Sequence, residues 1–146
     1  MAWGTANLAV YYPIVLPDPC VITKLFWQNG GVVAGTVDLG WFTQEGGRII
    51  STGPQTQTGV SATQLIDITD TALPPGPLYL GLLCSNATAT VWAVGAAAVF
   101  NAMPLGVYQQ AVGSGTLPNP ATFASIGTAG FPLPKAGALV APRTVL

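Results

Sequence analysis

Thirteen prolines and eighteen glycines are spread along the 146 residues, and they leave long helices little room. The segments between these breakers are short, and many alternate apolar with polar residues, which is the period-2 pattern of strands. Together these features imply an all-β domain, either a sandwich or a barrel. The stretch around which the rest is organised is residues 35–53, GTVDLGWFTQEGGRIISTG. Val37, Leu39 and Trp41 alternate with Thr36, Asp38 and Gly40, which predicts a half-buried strand with one apolar and one largely polar face. Gln44-Glu45-Gly46-Gly47 offers two glycines able to take positive φ, and a β-rich run resumes at Arg48, so the stretch reads as a hairpin.

The other strands follow from the same reading. Leu8 to Leu16 is the first, and Pro13, which has no N–H to donate, predicts an edge position or a bulge. Cys20 to Gln28 is the second, with Val21, Leu25 and Trp27 on one face and Ile22 and Phe26 on the other. A strand apolar on both sides predicts cover from another layer or from a neighbouring subunit. Residues 54–62 form a polar connection, and residues 63–69 return to β. Leu73-Pro74-Pro75-Gly76-Pro77 turns the chain into a strand carrying Leu78, Leu80, Leu82 and Cys84 on one face. Residues 90–100 read as a last long strand. The expected core is Val37, Leu39, Trp41, Ile66, Ile68, Leu80, Leu82, Val91 and Val99.

From Asn101 onward the chain is dominated by Gly, Ala, Pro and Ser, too broken to fold alone and too apolar to stay solvated. Residues 1–104 are therefore expected to form the β-sandwich domain and residues 105–146 an extended C-terminal arm that orders against other protein. On that reading, deletion of residues 117–146 leaves a folded sandwich that assembles poorly.

Charge and composition exclude several functions. Only four Lys or Arg and five Asp or Glu are present, net −1, against the roughly one-quarter charged that is usual for a soluble domain. So few charges imply that neighbouring protein covers part of the surface, as in a homo-oligomer. Lys24, Arg48, Lys135 and Arg143 are scattered, so no basic patch exists for nucleic acid. The absence of histidine removes the commonest general base and the commonest metal ligand. Asp67 sits in an alternating strand and Asp70 begins a turn, so neither these nor Asp38 or Glu45 reads as a calcium site or an acid–base pair. No catalytic residue, metal or cofactor is expected, and no enzyme. Residues 87–107 are uncharged, but Thr88, Thr90, Asn101, Pro104 and two glycines interrupt them, which favours a strand and loop over membrane insertion. The start carries no secretory signal pattern, so Cys20 and Cys84 are expected as two small buried hydrophobes and not as a disulfide. Most of the tryptophans and tyrosines lie among apolar neighbours and read as core. Trp3 and Tyr108, outside the clearest strands, are interface or ligand candidates. Ile22 and Phe26 on the second face of their strand, with Phe123, Phe131 and Leu133 on the arm, complete the expected interface.

The order of motifs carries a resemblance. A first strand ending in proline is followed by VITKLFWQNG, then the central stretch, then TQLIDITDTALPPGPLYLGLL. This order resembles the small jelly-roll-like virion proteins of tailed bacteriophages, found as head decorations and tail appendage modules, and is closest from Val21 to Leu83. The later GVYQQ and FPLP segments are also similar to C-terminal parts of such proteins. The resemblance implies a jelly-roll-like antiparallel β-sandwich without catalysis, a homotrimer, and a place in a virion assembled in the host cytoplasm. Its partners would be the major capsid protein or other virion proteins. Capsid decoration, of the cement or head-fibre type, is favoured because the chain carries no coiled-coil stalk and no attached enzymatic domain. The alternative is a tail fibre or tail tip module that recognises a host-surface glycan, whose mark would be exposed aromatics flanked by polar groups.

Overall fold

The computed structural model of the chain describes residues 1–94, 106–123, 125–126 and 133–142. Val99 and Phe131 lie outside the described residues. The strands are β1 (Leu8–Leu16), β2 (Cys20–Gln28), β3 (Thr36–Phe42), β4 (Arg48–Ser51), β5 (Gln55–Thr56) and β6 (Thr63–Leu73). They continue with β7 (Gly76–Cys84), β8 (Ala93–Val94), β9 (Tyr108–Ala111), β10 (Ser125–Ile126), β11 (Leu133–Pro134) and β12 (Ala136–Val140). The described residues contain no helix, and every pairing is antiparallel.

The pairings are nested. β1 pairs β7, β2 pairs β6 and β3 pairs β5, and successive pairs fall in alternate sheets. The large sheet runs β10-β9-β1-β7-β3-β4, with β5 also on β3, and the small one runs β12-β2-β6. β8 and β11 make a separate two-stranded ribbon. Pro13 is accommodated because β9 flanks β1 only from Leu8 to Tyr11, so among the described residues no strand lies on that side of β1 at the proline.

The two sheets share one core. β1 contributes Val10 and Tyr12, β3 contributes Val37, Leu39 and Trp41, and β7 contributes Leu78, Leu80 and Leu82. Ile22, Leu25 and Trp27 of β2 and Leu73 of β6 meet them from the small sheet. Val91 is buried here as expected from sequence, whereas Ile66 and Ile68 on the edge strand β6 pack against the core half-buried.

Ile22 departs from the strict alternation that placed it opposite Leu25 and Trp27. The register of β2 against β6 shifts between Ile22 and Lys24, and the register of β12 on the other side shifts at Leu139/Val140. Such an irregularity inverts the phase of the side chains that follow it. Ile22 is consequently 1% exposed inside the core, while Val21 is 40% exposed.

The described parts of the arm build onto this chain's own sheets. β9 extends the large sheet beside β1, β12 extends the small sheet beside β2, and β11 pairs β8. The arm is thus continuous with the layers of the sandwich, and each sheet draws strands from both sides of residue 104.

Cys20 and Cys84 are unbonded, half-buried and buried respectively, and both border the shared core. Burial pushes the Cys84 thiol up to about 12. A thiol-reactive disulfide reagent should therefore modify Cys20 in the native protein and reach Cys84 only on unfolding. Equal native labelling rates would contradict this packing. No helix among the described residues is long and apolar enough to cross a membrane.

Candidate functional site

Three surfaces bring together the residues singled out from sequence. The first is the outer face of the large sheet. β9 and β10 pair as a hairpin, and residues 112–123 between them lie as a strap over that face. The central β3–β4 hairpin grips the strap by its backbone. Leu117 N–H donates to Asp38 Oδ2 at 2.8 Å, and Arg48 Nη1 donates to Leu117 O at 2.7 Å. Arg48 N–H donates to Asn119 Oδ1 at 3.1 Å, and Ala121 N–H donates to Gly46 O at 2.8 Å. Gly40 permits the approach, since a Cβ there would lie 3.3 Å from Leu117 Cδ1 and 2.8 Å from Ile50 O. The face of β3 that reads as polar in the sequence is therefore covered, and Asp38 and Gly40 are both buried.

Asp38 is a carboxylate without exposure, and Thr52 Oγ1 donates to its other oxygen at 3.3 Å. Desolvation raises its pKa above the ordinary value, outweighing the hydrogen bonds from Leu117 and Thr52 and the nearby Arg48 charge, which lower it. A folded pKa above the unfolded one means that the native state binds this proton first as pH falls. The group's stabilising contribution is present in full below the unfolded value of about 3.8 and is lost as pH rises through the raised folded value. Asp38→Asn keeps an acceptor for Leu117 N–H and removes the ionisation. Melts across pH should show the variant at least as stable as wild type at neutral pH, with the difference closing toward pH 4. A neutral-pH advantage for wild type that vanished in acid would invert the sign and contradict the assignment.

Beneath the strap lies an aromatic cluster. Tyr11, Phe42 and Tyr79 are buried, and Tyr108 and Phe123 lie half-buried above them. Tyr108 and Phe123 stack at 5.3 Å and 30°, and Phe123 lies 4.7 Å from Tyr79 and 5.1 Å from Tyr11. Tyr11 Oη and Thr122 N–H both donate to Gln110 Oε1, at 3.1 and 2.9 Å. Burial pushes the Tyr79 phenol up to about 12. These two sequence-selected aromatics thus come together, and they do so while sealing a second core within the chain.

The second surface is the outer face of the small sheet. Phe26 stands between Gly137 and Leu65, and a Cβ on Gly137 would come within 3.3 Å of its ring. In the next row Lys24 stands between Leu139 and Asp67, and its ammonium pairs with the Asp67 carboxylate. Val21, Leu65 and Leu139 are each 40–47% exposed. An apolar groove of about 280 Å³, lined by Pro19, Val21, Ala72, Val140 and Pro142, opens at the end of this sheet.

The third surface is one that sequence reasoning missed. Trp3, selected as an interface candidate, is 2% exposed inside the core, because its flanking backbone is pinned along residues 87–91. Its Nε1 donates to Leu8 O at 2.9 Å. Trp92, which reads as part of an apolar strand, is 52% exposed. The run around it makes isolated bridges, Ala2 to Thr90 and Asn29 to Val91, before the two-residue β8, so it crosses an end of the sandwich. Leu133 lies opposite Val94 on the β8–β11 ribbon, and both are exposed.

Among the described residues no group of three His, Cys, Asp or Glu side chains could hold a metal ion. Asp67 pairs with Lys24, and Asp70 is exposed. No protein family, curated protein or solved structure matches the chain.

Proposed function

We propose that the protein is a non-enzymatic structural subunit that works as a homo-oligomer, a trimer, on the surface of a tailed-bacteriophage particle as a capsid decoration. The observation that carries the oligomer is the outer face of the β12-β2-β6 sheet. Phe26, Leu65 and Leu139 surround one internally neutralised ion pair there, in a chain with only nine charged residues. An apolar sheet face of this kind marks a protein contact. The nested pairings β1–β7, β2–β6 and β3–β5, alternating between sheets, support reading the fold as a reduced jelly roll, a long hairpin wound around its own core. The virion assignment rests on the motif resemblance and on this topology, and fold analogy alone does not carry function. Antibody raised against the chain should label the capsids of purified particles in electron micrographs. Labelling confined to tails would overturn the decoration role, and particles without label would overturn the virion role.

A further inference from the structure

We propose that the end of the sandwich formed by residues 30–34, 58–62 and 88–92 binds a neutral saccharide, with Trp92 as its stacking platform. The other three tryptophans are 0–4% exposed, so Trp92, at 52%, is the outward-facing indole. Beside it lies a pocket of about 290 Å³ lined by Gly30, Gly31, Ser61, Val91, Trp92 and Ala93, together with Met1. The volume is at the low end for a small-molecule site and suits a single sugar unit of a longer chain.

The loops around this pocket are fixed in advance. Asn29 and Gln57 are buried carboxamides, 0% and 4% exposed, and they tie the loops to one another. Gln57 Nε2 donates to Asn29 Oδ1 at 3.0 Å and to Thr90 O at 2.8 Å, and its Oε1 accepts Ala34 N–H at 2.9 Å. Asn29 Nδ2 donates to Gly59 O at 3.1 Å, while Asn29 Oδ1 also accepts Trp27 Nε1 at 2.9 Å. Ser61 N–H donates to Gly30 O at 2.8 Å, and Gly30 N–H donates to Thr90 O at 2.9 Å. The closure is tight, since a Cβ on Gly30 would fall 2.5 Å from Thr90 Oγ1. Ser61 is held at φ 56°, a left-handed conformation that a serine keeps only when its surroundings enforce it. A satisfied buried network of this kind rigidifies what it holds, and a site ordered beforehand loses less entropy when it binds.

The lining decides the ligand class. Its one charge is the Met1 ammonium, which donates to Val91 O at 2.9 Å, and none of its side chains is ionisable, so a neutral ligand leaves that bond in place and meets no side-chain charge. An exposed indole takes the C–H face of a sugar ring, and the Ser61 hydroxyl and the peptide groups of a glycine-lined wall suit its hydroxyls. The inference stands apart from subunit assembly, which is read by mass and by particle labelling and not by saccharide binding.

The test uses the full chain on a printed array of neutral and acidic glycans, followed by fluorescence titration with the strongest neutral hit. Acrylamide should quench one accessible tryptophan component in the wild type, and the sugar should protect it. Trp92→Ala should lose that component and weaken binding by at least about tenfold with an unchanged Tm, whereas Trp92→Phe retains part of the affinity. Absence of neutral glycan binding, preference for acidic glycans, or undiminished binding by Trp92→Ala would each overturn the proposal.

Discussion

A chain ending at residue 116 should not hold its fold. The deletion removes Leu117, Ala121 and Phe123 from above Tyr11, Phe42, Tyr79 and Leu83, and it strips β12 from the edge of β2. Each large apolar side chain taken out of a buried environment costs about 1.5–3 kcal/mol, so uncovering this face exceeds about 5 kcal/mol, comparable with the whole stability of a domain. The buried Asp38 carboxylate also loses the Leu117 N–H that satisfies it. Near-UV circular dichroism should collapse and the thermal transition should broaden or disappear. A truncated chain melting as cooperatively as wild type would mean that the strap is an accessory, which is the expectation that the sequence alone supports.

Trp27→Ala should give the largest loss among single substitutions. Trp27 is fully buried where β2 meets the large sheet, and its indole N–H enters the Asn29–Gln57 network that ties the loops. Truncating a buried tryptophan costs about 3–5 kcal/mol, and disturbing the carboxamide network adds about 1 kcal/mol, which together lower Tm by roughly 10 °C or more. Trp27→Phe keeps most of the packing and should recover much of the loss. Differential scanning calorimetry reads both, and a Trp27→Ala midpoint within about 3 °C of wild type would place the core elsewhere.

The elements legible in the sequence are those whose signals are local. β1 and β2 fall at the residues where alternation and turn chemistry place them, and Val37, Leu39 and Trp41 face inward from the central hairpin. Signals that depend on distant chain were not legible. The polar face of β3 is buried because Asp38 meets Leu117, a residue 79 positions away, and a period-2 pattern carries no information about what lies on top of a strand. Ile22 faces inward because the register slips beside it, and one irregular step reverses every inference drawn from alternation across it. Residues 105–146 read as an arm ordering against other protein because the strands described there are two to five residues long and interrupted by proline and glycine. The two longer ones, β9 and β12, pair with edges of β1 and β2 that only the assembled sheets create. Trp3 and Trp92 exchange roles for a related reason. Residues flanking Trp3 hydrogen-bond along 87–91, a contact with no local signature, and this seats Trp3 in the core while the run bearing Trp92 crosses an end of the sandwich.

The oligomeric subunit is tested most directly by mass in solution. Multi-angle light scattering on the full chain should give three times the 14.9 kDa of one chain. The double variant Phe26→Asp, Leu139→Asp places charges on the outer face of the small sheet without entering the core, and it should reduce the mass to that of one chain while preserving a cooperative melt. A wild-type protein that is a stable, monodisperse monomer would contradict the assignment of that face as the subunit interface.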